Sequence, residues 1–330
     1  MARLNKSLTL ARLEDLTLGV FGNVPMSSTL KHLIDYLSTW GGTDLYYQVV
    51  QYSLKLLVPY LRWRARLQHS VGRRASPTTD AAPGLAKLAG LVADARSLFS
   101  FWGMLPMIRW LISLEHNPPP TRKLLTIERL QAWSLLLFYP LDHAQFLISH
   151  SVIPAKTSSP FLARSAKVTT KALDGTVSLD AGKLSRLSCQ LWLLYIVMQF
   201  AHLREDRKIL LSEERSLNKS KAISAQAAKA KVKERWQFLW TELLTNACNL
   251  PCALHWSLEG GFFKNNLWVD ILSLIAAVVS WRSGWRAITA PAAPASSSSD
   301  EAANPPPSAD LVTDLDIQAP IGLEAGLDEI

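Results

Sequence analysis

Residues Glu242–Trp285 read ELLTNACNLPCALHWSLEGGFFKNNLWVDILSLIAAVVSWRSGW. This stretch joins a helix bearing Cys, Pro and His to an apolar run, and its reading separates a soluble helical bundle from a membrane protein. Between Lys264 and Arg282 lie 17 residues whose only charge is Asp270, and Trp268, Trp281 and Trp285 stand where interfacial aromatic anchors stand. At ~1.5 Å per helical residue the run reaches roughly 25 Å, short of a ~30 Å hydrocarbon core. It reads as membrane-embedded, and both full spanning and shallower insertion fit its length. Trp268, Ile271, Leu274 and Trp281 are its expected anchor side chains.

Working outward, the segment between Arg186 and Arg204, LSCQLWLLYIVMQFAHL, carries no charge. It predicts a second membrane helix, anchored by Leu191, Trp192 and Tyr195. Between Arg129 and Lys156 the only charge at neutral pH is Asp142, but Pro140, Asp142 and His143 interrupt the run. That pattern predicts a bent hairpin, or a helix packed against protein rather than lipid.

Pro, Gly and Ser clusters punctuate the rest of the chain at 72–84, 116–122 and 154–183, and again from Pro291 onward. No fixed-period repeat and no convincing run of alternating strands appears. The expected fold is therefore all-α: a membrane-associated helical bundle with amphipathic helices and one to three hydrophobic membrane segments. Six regions are expected. They are an N-terminal extension (1–28), an amphipathic helical region (29–114), a helical hairpin or membrane-associated segment (115–153), a polar linker (154–183), a membrane-anchored helical region (184–286) and a disordered acidic tail (287–330). A basic, solvated helical arm falls at 204–235, where ten bases face five acids.

In the amphipathic region two helices are expected at 29–40 and 44–66, with Ser27 or Ser28 capping the first. Gly41 and Gly42 form the turn between them, and Asp44 caps the second. Pro59 should kink or end that helix. Arg62, Arg64, Arg66, Arg73 and Arg74 follow with no acid among them, as a cluster for lipid headgroups or as a solvated helix end. Residues 85–114 form the best amphipathic candidate. Leu85, Leu88, Val92, Phe99 and Trp102 are its expected membrane-inserting face.

Composition agrees with a mixed membrane protein. A mean hydropathy of +0.10 is high beside 19% charged residues, yet low for a chain made mainly of spanning helices. All 35 Lys and Arg lie at or before Arg286, whereas eight of the 27 acids lie between Asp300 and Glu329. The body thus sets 35 bases against 19 acids, a net +16, which suits anionic lipid. Nucleic acid is not an expected partner, because no nucleic-acid-binding motif accompanies the charge. Three Cys without a pairing plan imply a reducing compartment, and the N-terminus lacks a signal-peptide core.

Little chemistry is signalled. Cys248, Cys252 and His255 share one helical face, but three ligands disturbed by Pro251 read as packing rather than as a metal centre. Asp142, His143 and His150 lack a nucleophile or phosphate-binding motif, and read as polar groups hydrogen-bonded inside a bundle. No catalytic residue, cofactor or metal is expected.

Several stretches, in order, resemble one family. They are LKHLIDYLSTWGGTDLYYQVVQYSLKLL (Leu30–Leu57), LAGLVADARSLFSFWGMLPMIRWL (Leu88–Leu111), LLLFYPLDHAQFL (Leu135–Leu147) and ELLTNACNLPCALHW (Glu242–Trp256). Together they resemble the eleventh peroxin family, closest to its fungal gamma-type branch. Within them, Gly42-Thr43-Asp44, Gln51-Tyr52, Asp94-Ala95-Arg96, Leu141-Asp142-His143 and the Asn246–Pro251 run are the most specific parts.

The resemblance implies a non-enzymatic integral protein of the peroxisomal membrane that elongates the membrane and promotes fission and proliferation. It also implies membrane lipid, self-association, a dynamin-related GTPase with its adaptor, and the membrane-protein import receptor as partners. A pore or metabolite channel, or an adaptor for fission machinery, are the alternative roles. The chain departs from the family where Phe101, Trp102 and Met104 replace the usual basic residues, a change that favours insertion over headgroup attraction.

Overall fold

The computed structural model describes residues 17–19, 25, 27–154, 156–158, 176–219 and 225–289. The chain is all-α. Its helices are α1 (Ser28–Leu37), α2 (Trp40–Ser70), α3 (Ala81–Phe99), α4 (Met104–His116), α5 (Arg122–Ser149), α6 (Ala181–Lys219), α7 (Ala225–Ser257) and α8 (Leu267–Thr289), with a 3₁₀ turn, Ser100–Gly103, joining α3 to α4. The N-terminal extension, most of the polar linker and the acidic tail fall outside the described residues. Inside the linker, Lys156–Ser158 and Thr176–Ser178 pair antiparallel, a short ladder that the sequence pattern did not signal.

Local chemistry sets the helix starts. Ser27 caps α1 by accepting from Leu30 N, Thr121 caps α5 through Leu124 N, and Asp180 Oδ1 accepts from Gly182 N and Lys183 N at the start of α6. The α1–α2 junction differs from expectation. Thr39, not Asp44, caps α2 by accepting from Gly42 N at 3.1 Å, so both glycines lie within the first helical turn. Gly42 is required there because a Cβ would run into the Tyr36 carbonyl oxygen. This early start frees the Asp44 side chain for another partner. Pro59, Pro140 and Pro251 all sit inside continuous helices, so α2 runs on to Ser70, and the stretch around Pro140 is one helix packed against protein rather than a bent hairpin.

Neighbouring helices run antiparallel. Arg129 pairs with Glu115 between α5 and α4; Gln131 donates to Gln199 between α5 and α6; Arg235 pairs with Glu213 between α7 and α6; and Thr245 meets Ser280 between α7 and α8. α8 returns to α2, where Tyr46 lies 5.9 Å from Trp281, and α2 packs on α3. The neighbour order α2, α3–α4, α5, α6, α7, α8 thus closes on itself. Its main core gathers Met107 and Trp110 from α4, Leu135 and Phe138 from α5, Trp192 and Ile196 from α6, Cys252 and Trp256 from α7, and Val269 from α8.

The run 187–203, expected as a membrane anchor, is the centre of this core. Trp192 is 0% exposed, Tyr195 is buried and Leu191 is half-buried against the same cluster. Its uncharged composition reflects burial against protein on one face. Leu187, Gln190, Leu194 and Val197 form the outward face.

Candidate membrane-facing surface

Two segments are long and apolar enough to cross a membrane: the continuous α3–α4 unit, Ala81–His116, and the α8 segment Leu267–Ile288. The first is defined by what it leaves outside. Between Lys87 and Arg109 the exposed residues are Leu88, Gly90, Leu91, Leu98, Phe99, Trp102, Leu105 and Ile108, and the one charged side chain that also reaches the surface is the half-buried Asp94, 3.5 Å from His150 Nε2. At ~1.5 Å per residue, Leu88 to Ile108 covers about 30 Å, the thickness of a hydrocarbon core.

The opposite face of α3–α4 is equally specific. Ala82, Ala89, Arg96, Gly103, Met107, Trp110 and Leu114 are buried at helical spacing. Gly103 lets α5 approach, since a Cβ there would lie 2.6 Å from the Tyr139 ring. The unit therefore has a packed face, apolar apart from Arg96 and Ser97, and an exposed face that is apolar. An amphipathic helix of a soluble protein would turn polar residues outward.

The expected inserting face is rotated from the apolar face that the structure exposes. Leu88, Phe99 and Trp102 are exposed, Trp102 at 67%, whereas Leu85 and Val92 are only partly so. Leu91, Leu98, Leu105 and Ile112 complete the exposed stripe and were missed. Their spacing was legible, but so was the spacing of the buried face, and two apolar stripes on one helix cannot be ranked by periodicity.

Exposed apolar residues also mark α5, next to α4, and α8, on the far side of α2. On α5 the exposed residues between Thr126 and Ser149 are Leu130, Trp133, Leu137 and Pro140, and on α8 between Asn266 and Arg282 they are Trp268, Ile275 and Val278. Of the expected α8 anchors, Trp268 is exposed, while Ile271 and Leu274 are partly buried. Trp281 instead stacks edge-on to Tyr36 at 4.7 Å, tying α8 to α1.

The basic cluster does not share one face. Arg62 and Arg66 lie on one side of α2 and Arg64 nearly opposite, at 100° per residue, with Arg73 and Arg74 beyond the helix end at Val71 and Gly72. Arg62, Arg64, Arg66 and Arg73 are exposed, and between them rise Tyr60, Trp63 and Leu67, also exposed. The expected headgroup cluster is thus an aromatic and basic collar around the end of α2.

Inside the bundle, residues that carried the family resemblance meet. Arg96, at 0% exposure, donates from Nε to Asp44 Oδ1 at 2.8 Å, from Nη2 to Asp44 Oδ2 at 3.3 Å, and from Nη1 to Gln51 Oε1 at 2.8 Å. This clamp joins α2 to α3 and holds the α3–α4 unit in one rotation. Asp142 and His143, adjacent in sequence, point apart. Gln145 Nε2 donates to Asp142, whereas His143 contacts Ser100 Oγ and stacks on Phe101 with ring centres 4.1 Å apart.

A second polar group lies level with the end of α4, where Arg129 of α5 meets Glu115. His202 Nε2 is 3.2 Å from Glu128 Oε1, and its Nδ1 is 2.9 Å from Asp206 Oδ2. Burial pulls the His202 pKa down, but Asp206 and Glu128 outweigh that and raise it to about 9.

Cys248, Cys252 and His255 are buried and are committed to packing. His255 Nδ1 accepts from Phe262 N at 2.8 Å and Phe263 N at 3.1 Å, closing the α7–α8 turn around Gly261 at φ +66°. Cys252 Sγ contacts the carbonyls of Cys248 and Val269. The described residues hold no group of three or more His, Cys, Asp or Glu arranged for a metal ion.

No family model matches the chain, and neither a curated protein nor a solved structure matches it.

Proposed function

We propose that this chain is a non-enzymatic integral protein of the peroxisomal membrane that remodels and elongates that membrane ahead of fission and proliferation. The observation that supports a membrane setting is the α3–α4 surface, apolar between Lys87 and Arg109 apart from the half-buried Asp94, which pairs with His150. In water, an exposed apolar patch of that extent favours association; in a bilayer, lipid tails cover it. The peroxisomal assignment rests on the family resemblance, as do self-association and the expected partners: a dynamin-related GTPase, its adaptor and the import receptor.

The physics of remodelling follows from side-chain shape. Leu98, Phe99, Trp102 and Leu105 form a broad wedge beside the 3₁₀ turn, and apolar volume pressed into one leaflet expands it against the other. The aromatic and basic collar of α2 supplies headgroup contacts. The test is reconstitution of the full chain into vesicles containing anionic lipid, imaged by electron microscopy. Tubules are expected, and should be lost in Leu98→Glu/Trp102→Glu. Spherical vesicles with the wild-type protein firmly incorporated would refute remodelling while leaving membrane residence standing.

The channel reading draws on a different observation, the buried polar line Gln131, Gln199, Glu242 and Asn246 across α5, α6 and α7. Single-channel conductance altered by Glu242→Gln would favour it.

A further inference from the structure

Beyond the apolar surface, the ends of α6 and α7 form a two-helix arm. A small core of Leu203, Leu210 and Leu239, with Trp236 and Leu243 against it, and the Arg235–Glu213 ion pair hold it together. On α7, Lys229, Lys233 and Trp240 stand at i, i+4 and i+11, within about 40° of one another at 100° per residue, so they share one face. All three are exposed, Trp240 at 61%, and neither lysine forms an ion pair among the described residues. The face is basic at one end and aromatic at the other.

The chain contains a segment of matching chemistry. After Arg286 it has no base, and the stretch from Asp310 to Ile317, DLVTDLDI, alternates Asp310, Asp314 and Asp316 with Leu311, Val312, Leu315 and Ile317. The fold also brings the start of that tail to the height of this face, on the adjoining side of α7 that packs against α8. Thr245 meets Ser280 and Cys252 meets Ser273, so the antiparallel register of α7 and α8 sets Thr289, the end of α8, level with about residue 236. The tail thus begins between Lys233 and Trp240 in height. Tethering at such short range gives an effective concentration on the order of millimolar, enough for a weak ionic and apolar contact to form within one molecule.

We infer that residues 310–317 dock on the Lys229, Lys233 and Trp240 face of α7, with the aspartates against the lysines and the leucines against the indole. The docked tail sets three aspartates against the arm's net charge of +5 (ten bases, five acids) and covers its aromatic end, so it competes with any anionic surface the arm would otherwise meet. The contact depends on the arm and the tail alone. Its failure would leave the membrane reading untouched.

The test places a photo-reactive benzophenone side chain at Gln237, exposed beside this face, in the detergent-solubilised full chain. The expected product is an intramolecular cross-link to residues 310–317. It should fall at least fivefold in Lys229→Glu/Lys233→Glu and recover when Asp310→Lys, Asp314→Lys and Asp316→Lys are added. Cross-links confined to other segments or to a second copy overturn the proposal. So does an absent cross-link, or a tail cross-link indifferent to both charge changes.

Discussion

Arg96 is a full charge held at 0% exposure, and a bundle tolerates that only because Asp44 and Gln51 answer the guanidinium's geometry. Removing Asp44 takes away the counter-charge while the arginine stays buried. Asp44→Ala should therefore cost about 3–5 kcal/mol, read as a lowered unfolding temperature in detergent; an unchanged temperature would show that the clamp contributes nothing to stability. His202 behaves differently because its charge is optional. Its folded value of about 9 lies above the ordinary 6.5, so its stabilisation is complete below about pH 6.5 and is lost as pH rises through about 9. The wild-type unfolding temperature should decline from pH 7 to pH 9.5, with a shallower decline in His202→Gln. Equal slopes would remove His202 as the cause. The Asp94-Ala95-Arg96 and Gly42-Thr43-Asp44 stretches were legible as distinctive sequence. That Arg96 reaches across to Asp44 was not, because 52 residues separate the two and only the packing of α2 on α3 joins them.

At the scale of the element, uncharged runs proved ambiguous for one physical reason: burial in protein and burial in lipid select the same side chains. The run 187–203 looked the cleaner membrane helix, yet Trp192 fills the core beside Trp256, with ring centres 6.0 Å apart. The two environments are separable by experiment. Trp192→Ala should cost about 3–5 kcal/mol of stability by opening a cavity. Leu194→Ala, on the outward face, should cost well under half of that. If the two variants unfold alike, α6 is not oriented as described. The α3–α4 unit presents the converse case. Its apolar residues were read as one face, but Gly103, Ala89 and Met107 pack inward while Leu91, Leu98 and Leu105 face out. α8 divides likewise, with Ala276 and Ala277 inward and Ile275 and Val278 outward.

Across the whole molecule, the helices close in a ring of antiparallel neighbours, and apolar outer residues on α3–α4, α5 and α8 lie between a basic collar on α2 and a basic arm on α6–α7. Helix content, the starts of α1 and α8 and the charge division between body and tail could be read from residue order, because they depend on local propensity, caps and composition. The start of α2 escaped that reading, since Thr39 and Asp44 are both acceptable caps and only the close pass of Gly42 over the Tyr36 carbonyl chooses between them. What packing alone decided is direction: which apolar stripe of each helix meets its neighbours, and which is left for the surroundings. Direction is a property of pairs of helices. Periodicity within one helix shows that a stripe exists but carries no information about where its partner lies.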